Sequence, residues 1–162
     1  MSKNNYSHLL VISFLFSLLA CTNKSPEVFR LLDAEATNIT FNNEIPESDS
    51  LNILLNNYLY NGGGVGIADF NNDSLPDVFF AGNLVDNQLY LNQGNLKFED
   101  ISTTAGIETK GKWISGVNVA DINNDGWQDI YLTCTFYKDS LLRENVLYIC
   151  LLYTSPSPRD RG

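Results

Sequence analysis

Histidine is almost absent from this chain of 162 residues: the one histidine, His8, lies in an apolar N-terminal stretch that we expect to be removed. The rest of the sequence has no imidazole, which excludes Ser–His–Asp and Cys–His catalysis and histidine-ligated zinc. Basic residues are also few: Lys plus Arg is 10 and Asp plus Glu is 19, a formal net charge of −9. This acidic balance argues against nucleic acid or an anionic membrane surface as a partner held by charge.

Cysteine is scarce as well, with three in the chain. Cys21 ends the apolar stretch and Cys150 begins the C-terminal tail, so Cys134 is the one cysteine between them. A disulfide framework is therefore excluded. Because Cys134 follows an apolar run, we predict a small buried strand residue.

Residues 1–21 have the pattern of a bacterial lipoprotein signal peptide. Lys3 supplies a positive start, and Leu9–Leu19 is an apolar run too short to span a bilayer comfortably. The closing Leu18–Cys21 resembles the lipobox, which implies lipidation of Cys21. We therefore expect a lipid anchor in the cell envelope, at the outer membrane and facing either the periplasm or the outside. An ordinary secretory leader cut near Ala20 is the alternative.

Residues 150–162 match no structural pattern of the chain. The residues from Cys150 to Asp160 are those that a transposase-type sequencing adapter encodes in the frame set by Ile149. A Ser/Pro linker is the alternative. We expect adapter read-through, with the natural sequence departing at Ile149, and leave this tail out of the fold prediction.

The middle of the chain divides into a tether and a repeat region. Residues 22–60 are rich in Asn and Glu and indicate a tether or linker with some ordered contacts. From residue 61 to residue 149, short runs of β-type residues alternate with turn residues and show no helical period.

The repeat region contains two related segments. Gly64–Asp69 aligns with Gly116–Asp121, 52 residues later, and Asn87–Leu91 aligns with Asn145–Ile149, 58 residues later. A repeat of this length with about four strands is typical of a propeller blade. The sequence therefore predicts an all-β fold, an incomplete β-propeller of which fewer than two blades are present.

Each repeat carries one loop of the pattern D-x-N-x-D-x-x-x-D. Oxygen side chains at alternate positions converge when such a loop curls, and position 7 turns a backbone carbonyl inward. An all-oxygen set suits Ca²⁺, which takes about six to eight oxygens. The predicted calcium ligands are Asp69, Asn71, Asp73, Leu75 through its carbonyl, and Asp77, then Asp121, Asn123, Asp125, Trp127 through its carbonyl, and Asp129.

The loop pattern has two alternative interpretations. An EF-hand needs Glu at position 12, where these loops have Phe80 and Leu132, and it needs flanking helices. A pair of Asn/Asp-rich turns without metal is the second alternative. The repetition favours calcium. Because Gly126 tolerates a positive φ and Ser74 does not, we predict weaker cation binding by the first loop.

The two repeats resemble FG-GAP/VCBS modules, the calcium-loop blades of integrin α-chain propellers. Tyr60–Val65, Asn87–Gly94, Phe98–Ile101 and Ala105–Ile107 more narrowly resemble the bacterial VCBS proteins related to cartilage acidic protein, which often end in an ASPIC/UnbV domain. The resemblance runs from about residue 39 to residue 149. It implies a seven- or eight-bladed propeller, calcium in the inter-strand loops and an extracytoplasmic binding role. The ASPIC/UnbV part has no counterpart in this sequence.

We therefore predict a binding module and no enzyme: a calcium-stabilised propeller of a lipid-anchored envelope protein that engages a protein or glycan ligand. The alternative is the N-terminal part of an envelope hydrolase or lyase whose catalytic groups lie outside this sequence. The clustered carboxylates favour the binding module, because nearly all of them are accounted for as calcium ligands.

Overall fold

The computed structural model describes residues 27–107, 109, 111–135 and 141–150. The chain divides into two compact units, Met1–Leu32 and Asp33–Gly162. In the first unit, the described residues 27–32 form neither helix nor strand. The predicted signal peptide with Cys21, and the tail beyond Cys150, lie outside the described residues.

The described part of the second unit is mostly β-strand, with short helical turns between strands. Its elements, in chain order, are α1 (Ala34–Thr37), β1 (Gly64–Ala68), β2 (Asp77–Ala81), β3 (Gln88–Asn92), β4 (Phe98–Asp100), α2 (Ser102–Ala105), β5 (Ile114–Ala120), β6 (Asp129–Cys134), a 3₁₀ helix (Leu141–Arg143) and β7 (Val146–Tyr148).

The strands form two antiparallel sheets, of order β1-β2-β3-β4 and β5-β6-β7. The predicted all-β class is confirmed, and two consecutive sheets of hairpin-linked strands are the arrangement of neighbouring propeller blades. The helix α2 was not predicted, because four residues are too few to show a helical period. Among the described residues, no helix has the length and apolar character needed to cross a membrane.

The pairing register of the second sheet repeats that of the first. Val65 pairs with Phe80 in the first sheet, and Val117 pairs with Leu132 in the second, 52 residues later for both partners. The third strand follows the other predicted spacing, since Leu147 of β7 occupies the position that Leu89 has in β3. The two repeats found in the sequence therefore share one arrangement of three strands, to which the first sheet adds β4.

A shared hydrophobic core lies where the two sheets pack together. Alternation along each strand sends one set of side chains into this core. The buried members of the core cluster are Phe70, Phe79, Ala81, Leu89, Ile107, Ile114, Ile130, Leu132 and Cys134. Cys134 is thus the buried strand residue that was predicted. On the opposite face of β1, Val65 and Ile67 remain more than half exposed.

Glycines in β1 allow the two sheets to approach closely. A Cβ atom added to Gly64 would lie 2.7 Å from Val117 Cγ2, and one added to Gly66 would lie 2.9 Å from Val119 Cγ2. Real Cβ atoms do not tolerate such contacts, so the valines of β5 rest directly on the backbone of β1.

The segment before β1 makes specific contacts with the first sheet. The Thr40 N–H donates to the Tyr90 hydroxyl at 3.1 Å, and the Phe41 ring stacks on Phe80 with 5.0 Å between centroids. Residues 40–43 therefore contact the first sheet and the turn after β2, in line with the ordered contacts expected of the tether. The boundary placed at residue 61 stays a prediction.

Candidate metal centres

The two D-x-N-x-D loops occupy equivalent places in the two sheets. The first connects β1 to β2 and the second connects β5 to β6. Since β1 and β5 pack against each other, their loops follow from adjacent strand ends. The Asn72 Nδ2 amide lies 3.5 Å from the Gly126 carbonyl oxygen, so the loops are neighbours in space as well.

Side chains of the first loop curl around the loop's own backbone. Asp69 Oδ1 and Asn71 Oδ1 both accept from the Asp73 N–H at 3.1 Å, and Asp69 Oδ2 accepts from the Ser74 N–H at 2.7 Å. Asp73 Oδ1 accepts from the Leu75 N–H at 2.7 Å, while the Asn71 amide donates to Asp73 Oδ2 at 2.9 Å. The oxygens of positions 1, 3 and 5 are therefore drawn together around one short stretch of backbone.

The second loop repeats every one of these contacts. Asp121 Oδ1 and Asn123 Oδ1 share the Asp125 N–H at 3.1 Å, and Asp121 Oδ2 accepts from the Gly126 N–H at 2.9 Å. Asp125 Oδ1 accepts from the Trp127 N–H at 2.9 Å, and the Asn123 amide donates to Asp125 Oδ2 at 2.8 Å. Two segments of different sequence thus adopt the same hydrogen-bonded shape.

Positions 4 and 6 of both loops have left-handed backbone. Position 4 has φ of 57° at Asn72 and 59° at Asn124, and Asn accepts this region more readily than most residues. Position 6 has φ of 71° at Ser74 and 91° at Gly126. Glycine adopts this conformation freely, whereas serine is strained in it. The Ser/Gly difference between the two loops therefore lies at a position with left-handed backbone, where serine is strained and glycine is not.

The ninth residue of each loop is placed differently from the others. Asp77 and Asp129 are fully buried, and each is the first residue of its strand. Asp77 Oδ2 accepts from the Phe70 N–H and its Oδ1 from the Asn92 N–H, both at 2.8 Å. Burial raises the pKa of Asp77, and the carboxylates of Asp73 and Asp69 also raise it, against the lowering effect of the two backbone N–H groups.

The first, third and fifth positions of each loop carry carboxylate and amide oxygens, the kind of donor that Ca²⁺ prefers. Within the described ranges, no three or more His, Cys, Asp or Glu side chains come together in an arrangement that could hold a metal ion. The oxygens of the ninth carboxylate accept from backbone N–H groups, one at the second residue of the loop and the other 15 or 21 residues further along the chain. The ligand assignments, including the Leu75 and Trp127 carbonyls, stay predictions.

Asn92 is a residue whose importance the sequence did not reveal. Its buried side chain donates from Nδ2 to the Pro76 carbonyl at 3.0 Å and accepts from the Gly94 N–H at 2.9 Å. It thereby joins the end of β3 to the residue that precedes Asp77. Nothing near Asn92 in the chain signals this contact, because Pro76 lies 16 residues earlier.

The repeated sheet and loop define the class of protein. Residues 69–132 match the FG-GAP-like repeat family. The chain therefore contains an FG-GAP-like repeat over that region, and the resemblance identified from the sequence is confirmed.

Two curated relatives carry the likeness further along the chain. The chain is 29% identical to cartilage acidic protein 1 of Xenopus tropicalis over 118 residues, which are 73% of this chain and 18% of that protein. It is 36% identical to cartilage acidic protein 1 of Mus musculus over 69 residues, which are 43% of this chain and 11% of that protein. The chain therefore spans less than a fifth of the length of these relatives.

Proposed function

We propose that the chain is a calcium-binding β-propeller module of a lipid-anchored cell-envelope protein, and that the module binds a protein or glycan ligand. The FG-GAP repeat is a binding-type, non-catalytic domain, which supports the binding role. Because the match covers only 18% of the Xenopus tropicalis protein, the role of the whole protein is likewise proposed and does not follow from that relative.

The repeated loop geometry is the observation that carries the calcium proposal. Five hydrogen bonds of the first loop have counterparts of nearly equal length in the second, although the two loops differ at positions 2, 6, 7 and 8. Positions 1, 3, 5 and 9, whose side chains carry the predicted ligand oxygens, are the same in both loops. A bound Ca²⁺ would supply positive charge to carboxylates that otherwise repel one another.

The affinity expected of such loops suits an extracytoplasmic setting. Calcium modules outside the cell typically have dissociation constants of about 10⁻⁴–10⁻³ M. External calcium then fills the loops without a dedicated supply. The loops would act as structural links between strands, and the ligand surface would lie elsewhere on the blades.

Thermal unfolding of the full chain in calcium and in EGTA tests the calcium proposal. We expect a higher Tm with calcium and two bound ions by calorimetric titration. Asp73→Asn and Asp125→Asn each remove one exposed loop carboxylate, and each variant should bind one ion. Glu99→Gln, an exposed carboxylate of β4, is the matched control and should bind two. An unchanged Tm and no binding heat would contradict the proposal.

The anchor is tested separately through Cys21. Expression with a clickable palmitate analogue should label the wild-type chain and leave Cys21→Ser unlabelled, with Cys134→Ser as the control that keeps its label. Calcium-dependent retention on immobilised envelope polysaccharides or surface proteins, abolished by EGTA, would support the binding role.

A further inference from the structure

Asp77 ties together two parts of the first sheet that are distant in sequence. One of its carboxylate oxygens accepts from the Phe70 N–H, at the start of the loop, and the other accepts from the Asn92 N–H, at the end of β3. Asp77 itself opens β2 and is fully buried. One side chain therefore connects the cation loop to the third strand of its blade.

Asp129 makes the same two connections in the second sheet. Its Oδ2 accepts from the Ile122 N–H at 3.0 Å, and its Oδ1 accepts from the Cys150 N–H at 2.9 Å. Asp129 is also fully buried. These contacts go to backbone N–H groups, so they persist whatever side chains stand at the partner positions.

The other loop carboxylates differ from these two in burial and in partners. Asp73 and Asp125 are exposed and accept only from groups of their own loop. Water can replace such exposed contacts, whereas a buried N–H that loses its acceptor stays unsatisfied. Loss of the ninth carboxylate should therefore destabilise the folded protein more than loss of the exposed loop carboxylates.

We propose that Asp77 and Asp129 are positioning residues that fasten each loop to the third strand of its blade before any cation is present. The loop is then held in its curled shape in advance, which lowers the entropy lost on cation binding. The fastening of the strands does not depend on calcium. The effect on cation affinity rests on the proposed function.

Asn92 reinforces the first of these connections. Its backbone N–H donates to Asp77, and its side chain donates to the carbonyl of Pro76, the residue before Asp77. Asn92 thus donates both hydrogen bonds, one to Asp77 and one to the residue before it. In the second repeat Cys150 stands in place of Asn92, and its Sγ lies 3.5 Å from the Phe70 carbonyl oxygen.

Asp77→Asn and Asp73→Asn form a matched pair for the test, since both remove one charge from the same loop at constant size. Hydrogen exchange of the full chain in EGTA is followed by NMR at the Phe70 and Asn92 amides. We expect Asp77→Asn to speed exchange by about tenfold or more at the amide that then faces Nδ2, because that amide loses its acceptor. The other amide should change less, because asparagine keeps one acceptor oxygen but has no charge. Asp73→Asn should leave both rates unchanged.

Calcium titration supplies the second readout. Asp77→Asn should still bind two ions, with the first loop weakened and the second loop at its wild-type affinity. Asp73→Asn should bind one ion. A general loss of stability would not separate the two loops in this way. A selective change together with faster exchange in EGTA therefore indicates a positioning role.

Each remaining outcome decides the proposal. Unchanged exchange at Phe70 and Asn92 in Asp77→Asn overturns it, and unchanged exchange together with a stoichiometry of one ion would make Asp77 a ligand alone. If Asp77→Asn fails to fold, the wild-type chain in EGTA decides: the Phe70 and Asn92 amides must exchange more slowly than those of Asp73 and Ser74. A wild type that binds no calcium would refute the proposed function and leave the exchange comparison intact.

Discussion

Asn43 and Asn83 exchange two hydrogen bonds across 40 residues of chain. The Asn83 backbone N–H donates to Asn43 Oδ1 at 2.8 Å, and Asn43 Nδ2 donates to Asn83 Oδ1 at 2.7 Å. The Asn83 side chain also donates from Nδ2 to the Ile114 carbonyl, the first residue of β5, at 2.8 Å. The buried Asn83 side chain therefore links the lead-in segment (residues 40–43, before β1) and the turn after β2 to the second sheet.

Asn83→Ala should destabilise the protein strongly. Each buried group left without its partner costs roughly 1–3 kcal/mol, and this change affects the Ile114 carbonyl and the Asn43 amide. Chemical denaturation measures the free energy of unfolding. Asn57→Ala is the matched control, because Asn57 is exposed, and it should change that free energy little. Equal effects of the two substitutions would contradict the role given to Asn83.

Exchanging the residues at position 6 should reverse the order of cation affinity of the two loops. Ser74→Gly relieves a left-handed serine and should stabilise the fold by about 1 kcal/mol and strengthen the first cation site. Gly126→Ser should do the opposite in the second loop. Denaturation in EGTA gives the stability, and calcium titration gives the two affinities. Affinities that fail to move in opposite directions would show that position 6 does not control binding.

Gly66→Ala should destabilise the contact between the two sheets. The new Cβ would lie 2.9 Å from Val119 Cγ2 and 3.0 Å from Val117 Cγ1. Overpacking of this kind costs about 1–3 kcal/mol. Val119→Ala should recover part of that loss when combined with Gly66→Ala, which a double-mutant cycle detects. Additive effects would mean that Gly66 and Val119 do not meet.

Cys134 should make stability fall at alkaline pH. Burial raises the pKa of its thiol, although Lys112 lowers it somewhat. The folded state therefore keeps a proton that the unfolded state loses above about pH 8.5, so the free energy of unfolding decreases as the pH rises. Cys134→Ala should flatten the profile above about pH 8.5. A slope equal to that of wild type would contradict this origin.

Iodoacetamide should also label the half-buried Cys150 before Cys134 in the folded protein.

Cys150→Asn should stabilise the second sheet. Asn92, at the equivalent position, donates from its side chain to the Pro76 carbonyl, and Gln128 is the residue that corresponds to Pro76. An amide at position 150 should reach the Gln128 carbonyl and add about 1 kcal/mol. Cys150→Ser, which is too short to make this contact, is the control. Equal stabilities for the two variants would contradict the equivalence of the positions.

The sequence by itself determined the β class, the repeat and the loop positions, because each depends on local chemistry. Strand runs at Val78–Phe80 and Leu89–Leu91 show β-type residues between turn residues, and the two loops repeat the same oxygen side chains. The left-handed φ at position 6 could also be predicted, since the choice between Gly126 and Ser74 is a matter of backbone sterics.

Only the tertiary structure decided which loop acid is buried and what it holds. Asp73 and Asp77 are both aspartates of one motif, and nothing in the sequence distinguishes a buried one from an exposed one. They differ because the end of β3 lies beside Asp77, and the contact of Asp77 with Asn92 spans 15 residues. Long-range pairing of strands sets such contacts, and local patterns contain no record of them. The same reason accounts for Asn43 and Asn83, whose partnership exists only once the lead-in segment has packed on the sheet.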